Sequence, residues 1–318
     1  MTDYDPLIDA ETWAFIRRTD SWYPPDAVTR TVAEQRDVYN AMCREFFAGY
    51  PDGVSAETKA IVLPDRSIPI RVYRTPAPEA AAMVLYFHGG GFVVGGLESH
   101  DDVCAELAAR TGFEVVSVDY RLAPEHTHPA QFDDAMAAFE WAAAAYTRPI
   151  MLCGDSAGGN LAAAVSHAVR GHRRRPVGQV LIYPGLGGDP SLASYLAHAD
   201  APMLTVRDLD FYRDIRAGGR DVAGDATFAP LIADDFAGLP RTVVVTAQCD
   251  PLSSDGEAYR DRLVAAGGEA LWIEEKGLVH GYLRARHSVG RARDSFARIV
   301  EALRALAGGA MPVGPKSA

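Results

Sequence analysis

The stretch PIMLCGDSAG, residues 149–158, decides the architecture of this chain. Its apolar first half is typical of a buried strand, and the following residues 160–169 are typical of a helix. The two glycines allow a tight strand-to-helix turn with Ser156 at its apex. This context predicts a nucleophilic serine, with the N–H groups from Ala157 onward pointing at developing negative charge. The same letters also occur by chance in ordinary turns, so the assignment depends on the rest of the chain.

A second glycine-rich motif, HGGGF at residues 88–92, follows the apolar segment AMVLYF at residues 82–87. Successive glycines after a buried strand let backbone N–H groups face outward without interference from a Cβ atom. Acyl transfer needs such donors, because the carbonyl oxygen becomes an oxyanion in the tetrahedral intermediate. We expect the N–H groups of Gly90, Gly91 and Ala157 to hold that oxygen. A lone glycine run would indicate only a flexible turn, but this one stands upstream of GDSAG.

A serine nucleophile needs a base and an orienting carboxylate, and one known chain order is serine, acid, histidine. His280 lies in GLVHG, residues 277–281, a glycine-flanked loop after a strand-like segment. Asp250 also follows a strand-like segment, and open α/β sheets place functional residues just past the carboxyl ends of strands. Asp255 is its competitor, but a place in the first turn of the next helix suits a helix-dipole role better.

Five motifs resemble those of the hormone-sensitive-lipase-like family of α/β-hydrolases, the bacterial family IV carboxylesterases of the GDSAGG type. They are HGGGF at 88–92, DYRLAPE at 119–125, GDSAGG at 154–159, DPL at 250–252 and HG at 280–281. The resemblance implies an α/β-hydrolase fold, with a mostly parallel central sheet flanked by helices and a helical cap. It also implies a serine carboxylesterase for short- to medium-chain acyl esters. One departure is DPLSSDG at 250–256, where the family has D-P-L-R-D-E-G, so the residues that support Asp250 differ from the family's.

We therefore expect three catalytic residues: Ser156 attacks the ester carbonyl, His280 takes its proton, and Asp250 fixes the tautomer of His280. The residues expected to support them are His88, Gly89, Asp155 and Glu125. Arg121 and Glu125 are expected to brace the glycine loop by charge-assisted hydrogen bonds. This chemistry needs no metal and no organic cofactor.

Other functions stay open at this point. The same triad also serves amidases, thioesterases and lactonases. A non-catalytic ligand receptor is another alternative, because plant gibberellin receptors resemble this family. Those receptors lack the catalytic histidine, so the presence of His280 argues against this alternative. A lipase acting at lipid interfaces is a further alternative, although no long apolar segment supports it.

Composition sets limits on partners and location. The chain has 318 residues, a net charge of −11 and no basic patch, which argues against nucleic acid or an anionic membrane as a partner. It has no apolar run of transmembrane length, and residues 1–5 are acidic and lack the apolar core of a signal peptide. We expect a cytoplasmic monomer or homodimer that acts on a small-molecule ester. Its four cysteines have no metal-ligand spacing.

Eight strand-like segments, with helix-like segments between the later ones, predict a mostly parallel sheet covered on both faces. These segments are residues 58–63, 68–74, 83–87, 114–119, 150–153, 180–183, 242–247 and 270–274. Residues 1–50 are predicted to form a cap segment before a catalytic domain at 51–318, which carries a second cap segment at about 186–222. The large aromatic residues Trp13, Trp22, Tyr195 and Phe211 are expected to bound a pocket for acyl chains of roughly two to eight carbons.

Overall fold

The computed structural model describes residues 2–24, 30–76 and 81–314. In that part of the chain, eight strands form a single sheet in the order β1-β2-β4-β3-β5-β6-β7-β8. The strands are β1 Ser55–Val62, β2 Ser67–Arg74, β3 Met83–Phe87, β4 Glu114–Val118, β5 Ile150–Asp155, β6 Gly178–Ile182, β7 Arg241–Cys249 and β8 Ala270–Val279. β2 pairs antiparallel with β1 and β4, whereas every pair from β4 to β8 is parallel. The predicted strands and the mostly parallel sheet are confirmed.

Helices cover both faces of the sheet, as is usual for parallel sheets, and this cover buries the parallel strands on both sides. The helices in the described residues are α1 Ala10–Asp20, α2 Val32–Glu45, α3 Asp101–Thr111, α4 Ala130–Ala145, α5 Ala157–Ala168, α6 Ala193–Ala197, α7 Val206–Ala217, α8 Ser253–Ala265 and α9 Gly290–Ala307, with short 3₁₀ helices at Glu98–His100, Pro230–Ile232 and Tyr282–His287. α1, α3 and α9 contribute side chains to one hydrophobic core. α4, α5 and α8 contribute to the other. Alternate residues of β3 and β5 point into the two cores, and every residue of these two strands is buried.

The parallel register brings the sequence motifs together at one edge of the sheet. Phe87, at the end of β3, pairs with Gly154 near the end of β5. The glycine loop and Ser156 therefore leave the sheet side by side. β7 ends at Cys249 and β8 at Val279, so Asp250 and His280 follow the carboxyl ends of two further neighbouring strands. Widely separated motifs meet because the carboxyl ends of parallel strands lie on the same side.

The two predicted cap segments contact each other. The hydroxyl of Tyr4 lies 3.1 Å from Nδ1 of His198, which follows α6. Tyr39 of α2 and Tyr212 of α7 belong to the same small apolar cluster. The division into cap and catalytic domain stays a prediction. Residues 1, 25–29, 77–80 and 315–318, which that division includes, lie outside the described residues.

We expect Gly158→Ala to destabilise the fold, because the added Cβ atom would lie 1.9 Å from the carbonyl oxygen of Phe87. A backbone atom inside the sheet cannot move away from this contact. The free energy of unfolding, measured by urea denaturation, should fall by about 3 kcal/mol or more. The control is Gly171→Ala, whose Cβ would have no atom within 4 Å. It should change stability by less than about 0.5 kcal/mol. An unchanged unfolding midpoint for Gly158→Ala would contradict this packing of α5 on β3.

Candidate active site

Ser156 occupies the turn between β5 and α5 with a backbone φ of 52° and ψ of −117°. A positive φ is costly for any residue with a Cβ atom, on the order of 1–3 kcal/mol, and persists only where the surroundings impose it. Here the surroundings are the close approach of Gly154 and Gly158, where a Cβ at Gly154 would lie 2.4 Å from the carbonyl of Gly158. The N–H of Ser156 also donates to the carbonyl of Ile182 at 2.8 Å. The turn is therefore held from two sides and leaves the serine side chain in the wall of a cavity.

The structure brings the three predicted catalytic side chains into one line of contacts. Nε2 of His280 lies 2.9 Å from Oγ of Ser156, and Nδ1 of the same ring lies 2.7 Å from Oδ2 of Asp250. The side chain of Asp250 is fully buried, and that of His280 is 12% exposed. The second oxygen of Asp250 accepts the backbone N–H of Leu252 at 2.9 Å. This hydrogen bond fixes the carboxylate, so the imidazole is oriented between a buried acid and the serine.

The competitor Asp255 lies in the first turn of the next helix, as expected, and its carboxylate also has distant partners that the sequence did not indicate. Its carboxylate is completely buried in the first turn of α8. It accepts hydrogen bonds from the N–H groups of Leu186 and Gly188 at 2.7 and 3.2 Å, and from the hydroxyl of Tyr195 at 2.9 Å. Burial raises the pKa of Asp255 to about 6. Asp255 therefore anchors the start of the second cap segment beside the acid loop that carries Asp250.

One of the two serines that replace the family's Arg and Asp, Ser254, also joins the second cap segment to the acid loop. Ser194 of α6 donates its hydroxyl to the carbonyl of Pro251 at 2.6 Å. The same hydroxyl accepts the N–H of Ser254 at 3.0 Å, and the N–H of Ser194 donates back to Oγ of Ser254 at 3.2 Å. Ser253 contacts Thr246 of β7, with 3.2 Å between the two hydroxyl oxygens. Hydrogen bonds of serine hydroxyl groups thus stand where the family has charged side chains.

The predicted oxyanion donors line the same cavity as Ser156. Gly90 and Gly91 have φ values of 127° and 60°, which favour glycine. A Cβ at Gly90 would lie 2.1 Å from the carbonyl oxygen of Val94, and one at Gly91 would lie 2.4 Å from the ring of Tyr212. Within the described residues, the N–H groups of Gly90, Gly91 and Ala157 donate no hydrogen bond to the protein. They are therefore free to bind a substrate oxygen.

Asp155 holds the glycine loop from behind. Oδ1 accepts the hydroxyl of Tyr86 at 2.7 Å and the N–H of Gly89 at 2.9 Å. Oδ2 lies 3.2 Å from Nε2 of His100. Although burial opposes ionisation, His100 and Tyr86 keep the pKa of Asp155 well below its usual range. The supporting roles of His100 and Tyr86 were not expected, because nothing in their local sequence indicates a contact with a residue so distant in the chain.

His88 is a buried neutral base beneath the loop. Its ring stacks on Tyr120 with 4.3 Å between ring centroids, and Nδ1 lies 2.8 Å from the carbonyl oxygen of Gly89. Burial lowers the pKa of His88 to about 4. Its Nε2 is buried and has no hydrogen-bond partner among the described residues. His88 thus supports the loop by packing and does not reach Ser156.

Arg121 does not brace the glycine loop, so that expectation is wrong, and Glu125 braces the loop only through another residue. Arg121 donates from Nε to the carboxylate of Asp134 in α4 at 2.9 Å and does not contact the glycine loop. Glu125 accepts two hydrogen bonds from Arg36 of α2, at 2.8 and 2.7 Å. Arg36 in turn donates to the carbonyl of Val93, just after the glycine loop, at 2.8 Å. Glu125 therefore braces the loop through a residue of the N-terminal segment.

A cavity of about 970 Å³ opens over Ser156 and His280. Tyr195 and Phe211 line it as expected, but Trp13 and Trp22 do not. Trp13 packs against the main hydrophobic core, and Trp22 is 38% exposed. Among the described residues, the other aromatic residues of the wall are Tyr23, Tyr39, Phe92, Tyr183, Tyr212 and Phe228. Helix rotation decides which aromatic residue of a segment faces the cavity, and it depends on packing rather than on composition.

Other kinds of site are not evident in the described part of the chain. Residues 2–24, 30–76 and 81–314 contain no group of three or more His, Cys, Asp or Glu side chains arranged to hold a metal ion. None of the helices in these residues combines the length and the apolar character of a membrane span. The four cysteines are buried and unpaired.

The comparisons with known proteins agree with this geometry. A family model described as the alpha/beta hydrolase fold matches residues 84–284. Esterase LipI of Mycobacterium tuberculosis is 41% identical over 77% of this chain and 80% of its own length. The chain belongs to the hormone-sensitive-lipase-like family of α/β-hydrolases. Carboxylesterase NlhH of the same organism is 39% identical over 74% of this chain and 78% of its own length.

A solved structure gives the same result. The ester hydrolase from the metagenome of Lake Arreo, complexed with a bipyridine phosphonate derivative, superposes with a TM-score of 0.88 at 31% identity. The match covers 95% of this chain and 100% of that one. The predicted family, fold and carboxylic ester hydrolase class are confirmed, and the amidase, thioesterase, lactonase and receptor alternatives are not favoured.

We expect Asp155→Asn to destabilise the protein by about 3 kcal/mol or more at pH 7, because it removes a buried carboxylate from four partners. Since the pKa of Asp155 is lowered in the folded state, its stabilisation is present above the ordinary value of 3.8 and is lost as the pH falls below it. The difference in Tm between wild type and variant should therefore narrow toward pH 3. The control is Asp65→Asn, whose side chain is 70% exposed. A difference that stays constant with pH would contradict the lowered pKa.

Proposed function

We propose that this protein hydrolyses small carboxylic esters through an acyl-enzyme intermediate on Ser156. The observation that carries the proposal is the line of contacts from Asp250 through His280 to Ser156, with separations of 2.7 and 2.9 Å. Both separations are within the range that proton transfer requires. The acid is buried and the serine faces the cavity, so the arrangement is oriented toward a bound substrate.

Each residue has one task in this mechanism. Ser156 attacks the ester carbonyl while Nε2 of His280 accepts its proton, and the imidazolium then protonates the leaving alcohol. Asp250 holds the proton of Nδ1 and stabilises the imidazolium, without itself becoming protonated. Water then attacks the acyl-enzyme, with His280 again as the base. Atoms balance, because one ester and one water give one acid and one alcohol.

The tetrahedral intermediates carry a negative charge on the former carbonyl oxygen. The N–H groups of Gly90, Gly91 and Ala157 are proposed to hold it, supported by their place in the cavity wall and by their lack of protein acceptors among the described residues. Fixed donors of this kind stabilise the transition state without reorganisation cost. Asp155 and Gly89 are proposed as positioning residues, since their hydrogen bond fixes the start of the glycine loop.

We propose a cap made of residues 1–50 and 186–222, which limits the acyl chain to roughly two to eight carbons. Support comes from the aromatic wall of the cavity, to which Tyr23 and Tyr39 contribute from the N-terminal segment and Tyr195 and Phe211 from the second. Rings are stiff, so chains that exceed the available space would be overpacked.

We propose the cytoplasm as the location, supported by the four buried and unpaired cysteines, which suit a reducing compartment. For assembly, the proposal stays a monomer or a homodimer. β8 is an edge strand of the described sheet, and this edge is the place proposed for a second copy.

The proposal is tested with 4-nitrophenyl esters from acetyl to palmitoyl. The wild-type protein should show its highest kcat/KM for acyl chains of roughly two to eight carbons. Ser156→Ala should lower kcat by about 10⁴- to 10⁶-fold with unchanged circular dichroism. An organophosphate should label Ser156 alone, as peptide mass spectrometry would show. More than a tenth of the activity remaining in the folded variant would refute the nucleophile, and a preference for palmitoyl esters would refute the cap.

The acid is tested by comparing two conservative variants. Asp250→Asn should lower kcat by about 10⁴-fold, because an amide stabilises the wrong tautomer of His280. Asp255→Asn should lower kcat far less and should mainly weaken the hold on the second cap segment, seen as a lower Tm. Both variants remove one buried carboxylate from the same loop region, so each controls for the other. A larger loss of kcat in Asp255→Asn would show that the acid is assigned wrongly.

A further inference from the structure

Arg284 lies in the cavity wall, on the 3₁₀ helix that follows His280. Its Nε donates to Sγ of Cys43 at 3.3 Å, and its Nη2 donates to the hydroxyl of Tyr39. Its third nitrogen, Nη1, has no hydrogen-bond partner in the described part of the chain. A Cβ atom at Gly281 would lie 3.4 Å from Nη1, so this nitrogen is next to the loop that carries His280. The guanidinium thus has unused donor capacity beside the proposed catalytic base.

The charge of Arg284 is not balanced by a contact. Within residues 2–24, 30–76 and 81–314, no carboxylate forms an ion pair with it. Burial raises the pKa of Tyr39 and of Cys43, so the two groups that it contacts are neutral. Asp155 lies in the same region, but its oxygens are engaged by Tyr86, Gly89 and His100. Asp155 and Arg284 favour each other's charged form through space, but no carboxylate contacts the guanidinium in the described part of the chain. The unused donor of Arg284 is therefore available to an anionic ligand.

Some buried arginines of this protein have carboxylate partners, whereas Arg216, which also lines the cavity, packs against the rings of Phe92 and Phe228 and donates to the carbonyl of Phe228 at 3.0 Å. Arg286, two positions along the same 3₁₀ helix, pairs with Asp102 at 2.6 Å and with Glu106 at 2.7 Å. Arg71 pairs with Asp101 at 2.8 Å. The absence of such a partner at Arg284 is therefore not a general property of the fold.

We propose that Arg284 forms an anion subsite, so that the preferred substrates are esters that carry a carboxylate. The inference rests on the proposed function, because the ester is hydrolysed at Ser156. A guanidinium is well suited to a carboxylate, since its parallel N–H groups match the two oxygens. The subsite is next to His280, which places the charged end of the substrate within the same cavity as the ester bond.

Tyr23 supports the same subsite. It lines the cavity, and its hydroxyl has no hydrogen-bond partner in the described part of the chain. Arg284 lines the same cavity. The hydroxyl of Tyr23 therefore offers a neutral donor in addition to the charged guanidinium. Asp20 also lines the cavity, but it forms no ion pair with Arg284.

A purely structural role for Arg284 makes a different prediction. Through Tyr39 and Cys43 it joins α2 to the segment after His280, so its loss could disturb the base equally for every substrate. An anion subsite instead affects only charged substrates. The ratio of kcat/KM for a charged ester to that for a neutral ester of the same shape separates the two roles.

The experiment uses two substrate pairs at neutral pH. In mono-4-nitrophenyl adipate the carboxylate is on the acyl side of the ester, and in 4-acetoxybenzoate it is on the alcohol side. The methyl ester of each carboxylate is the neutral member of its pair. Rates without enzyme are subtracted, and active sites are counted by organophosphate titration. The variants are Arg284→Met and Arg284→Lys, with Arg170→Met as the control. Arg170 forms a surface ion pair with Asp235 at 2.9 Å. Its substitution by Met changes the net charge by the same amount as Arg284→Met.

For at least one pair, Arg284→Met should lower the charged-to-neutral ratio by about 10- to 100-fold, mainly through KM. Arg284→Lys should retain part of the ratio, and Arg170→Met should leave it unchanged. Which pair responds shows whether the acyl or the alcohol part carries the carboxylate. In the wild type the charged ester should react at least as well as the neutral one, although the net charge of −11 repels anions.

If Arg284→Met lowers kcat/KM equally for charged and neutral esters, the anion subsite is overturned and Arg284 has only a positioning role. In the wild type, a charged-to-neutral ratio of kcat/KM below about 0.1 for both substrate pairs would also overturn the anion subsite. This outcome needs no variant, so the test does not depend on the folding of a variant. These outcomes leave the proposed function intact, because neutral esters are still hydrolysed. Failure of the wild type on every ester, charged and neutral, would instead refute the proposed function.

Discussion

The backbone contact between Gly158 and the carbonyl of Phe87 is the constraint on which the rest of the site depends. It lets α5 start directly against β3, with no room for a side chain. The turn before α5 must then be tight, and Ser156 takes a positive φ of 52° to complete it. Because Phe87 directly precedes the glycine loop, the same contact fixes the distance between the nucleophile and the proposed oxyanion donors. Close packing in the sheet thus sets the catalytic geometry.

Buried carboxylates hold the loops that surround this contact. Asp155 fixes Gly89 at the start of the glycine loop, while Asp255 fixes the backbone at Leu186 and Gly188. Each lies close in sequence to a proposed catalytic residue, and each acts on the backbone of a distant segment. A buried carboxylate needs several donors to offset the loss of hydration, and free N–H groups of loops supply them. The site therefore uses its acids both for chemistry and for loop placement.

The cavity is formed where two separate segments meet over the carboxyl ends of the strands. One wall comes from α1 and α2, and another from α7 and the segment before it. Arg36 of α2 links this wall to the glycine loop through Val93, and Arg284 links α2 to the loop of His280. The N-terminal segment is thus connected by hydrogen bonds to both sides of the catalytic centre. Changes in this segment can reach the oxyanion donors and the base without contacting the substrate.

The features that the sequence determined are those that a short stretch of backbone specifies. A strand followed by Gly-Asp-Ser-Ala-Gly and a helix indicates a tight turn, and the glycine-rich motif upstream supported the placement of Ser156 at its apex. Asp250 and His280 could be placed because each follows a strand-like segment, at residues 242–247 and 270–274. The buried parallel strands were predictable because such strands leave apolar runs. β1 is mostly exposed and pairs antiparallel with β2, so this reason does not apply to it.

Only the tertiary structure decided which partner each polar side chain has. Arg121 bonds to Asp134 rather than to the glycine loop, and Asp255 binds a distant cap segment. Trp13 packs in the core, whereas Tyr23 reaches the cavity. Side-chain direction and long-range contacts depend on how helices rotate and pack, and local sequence does not encode that rotation. The unpaired charge of Arg284 is likewise visible only once the elements around it are in place.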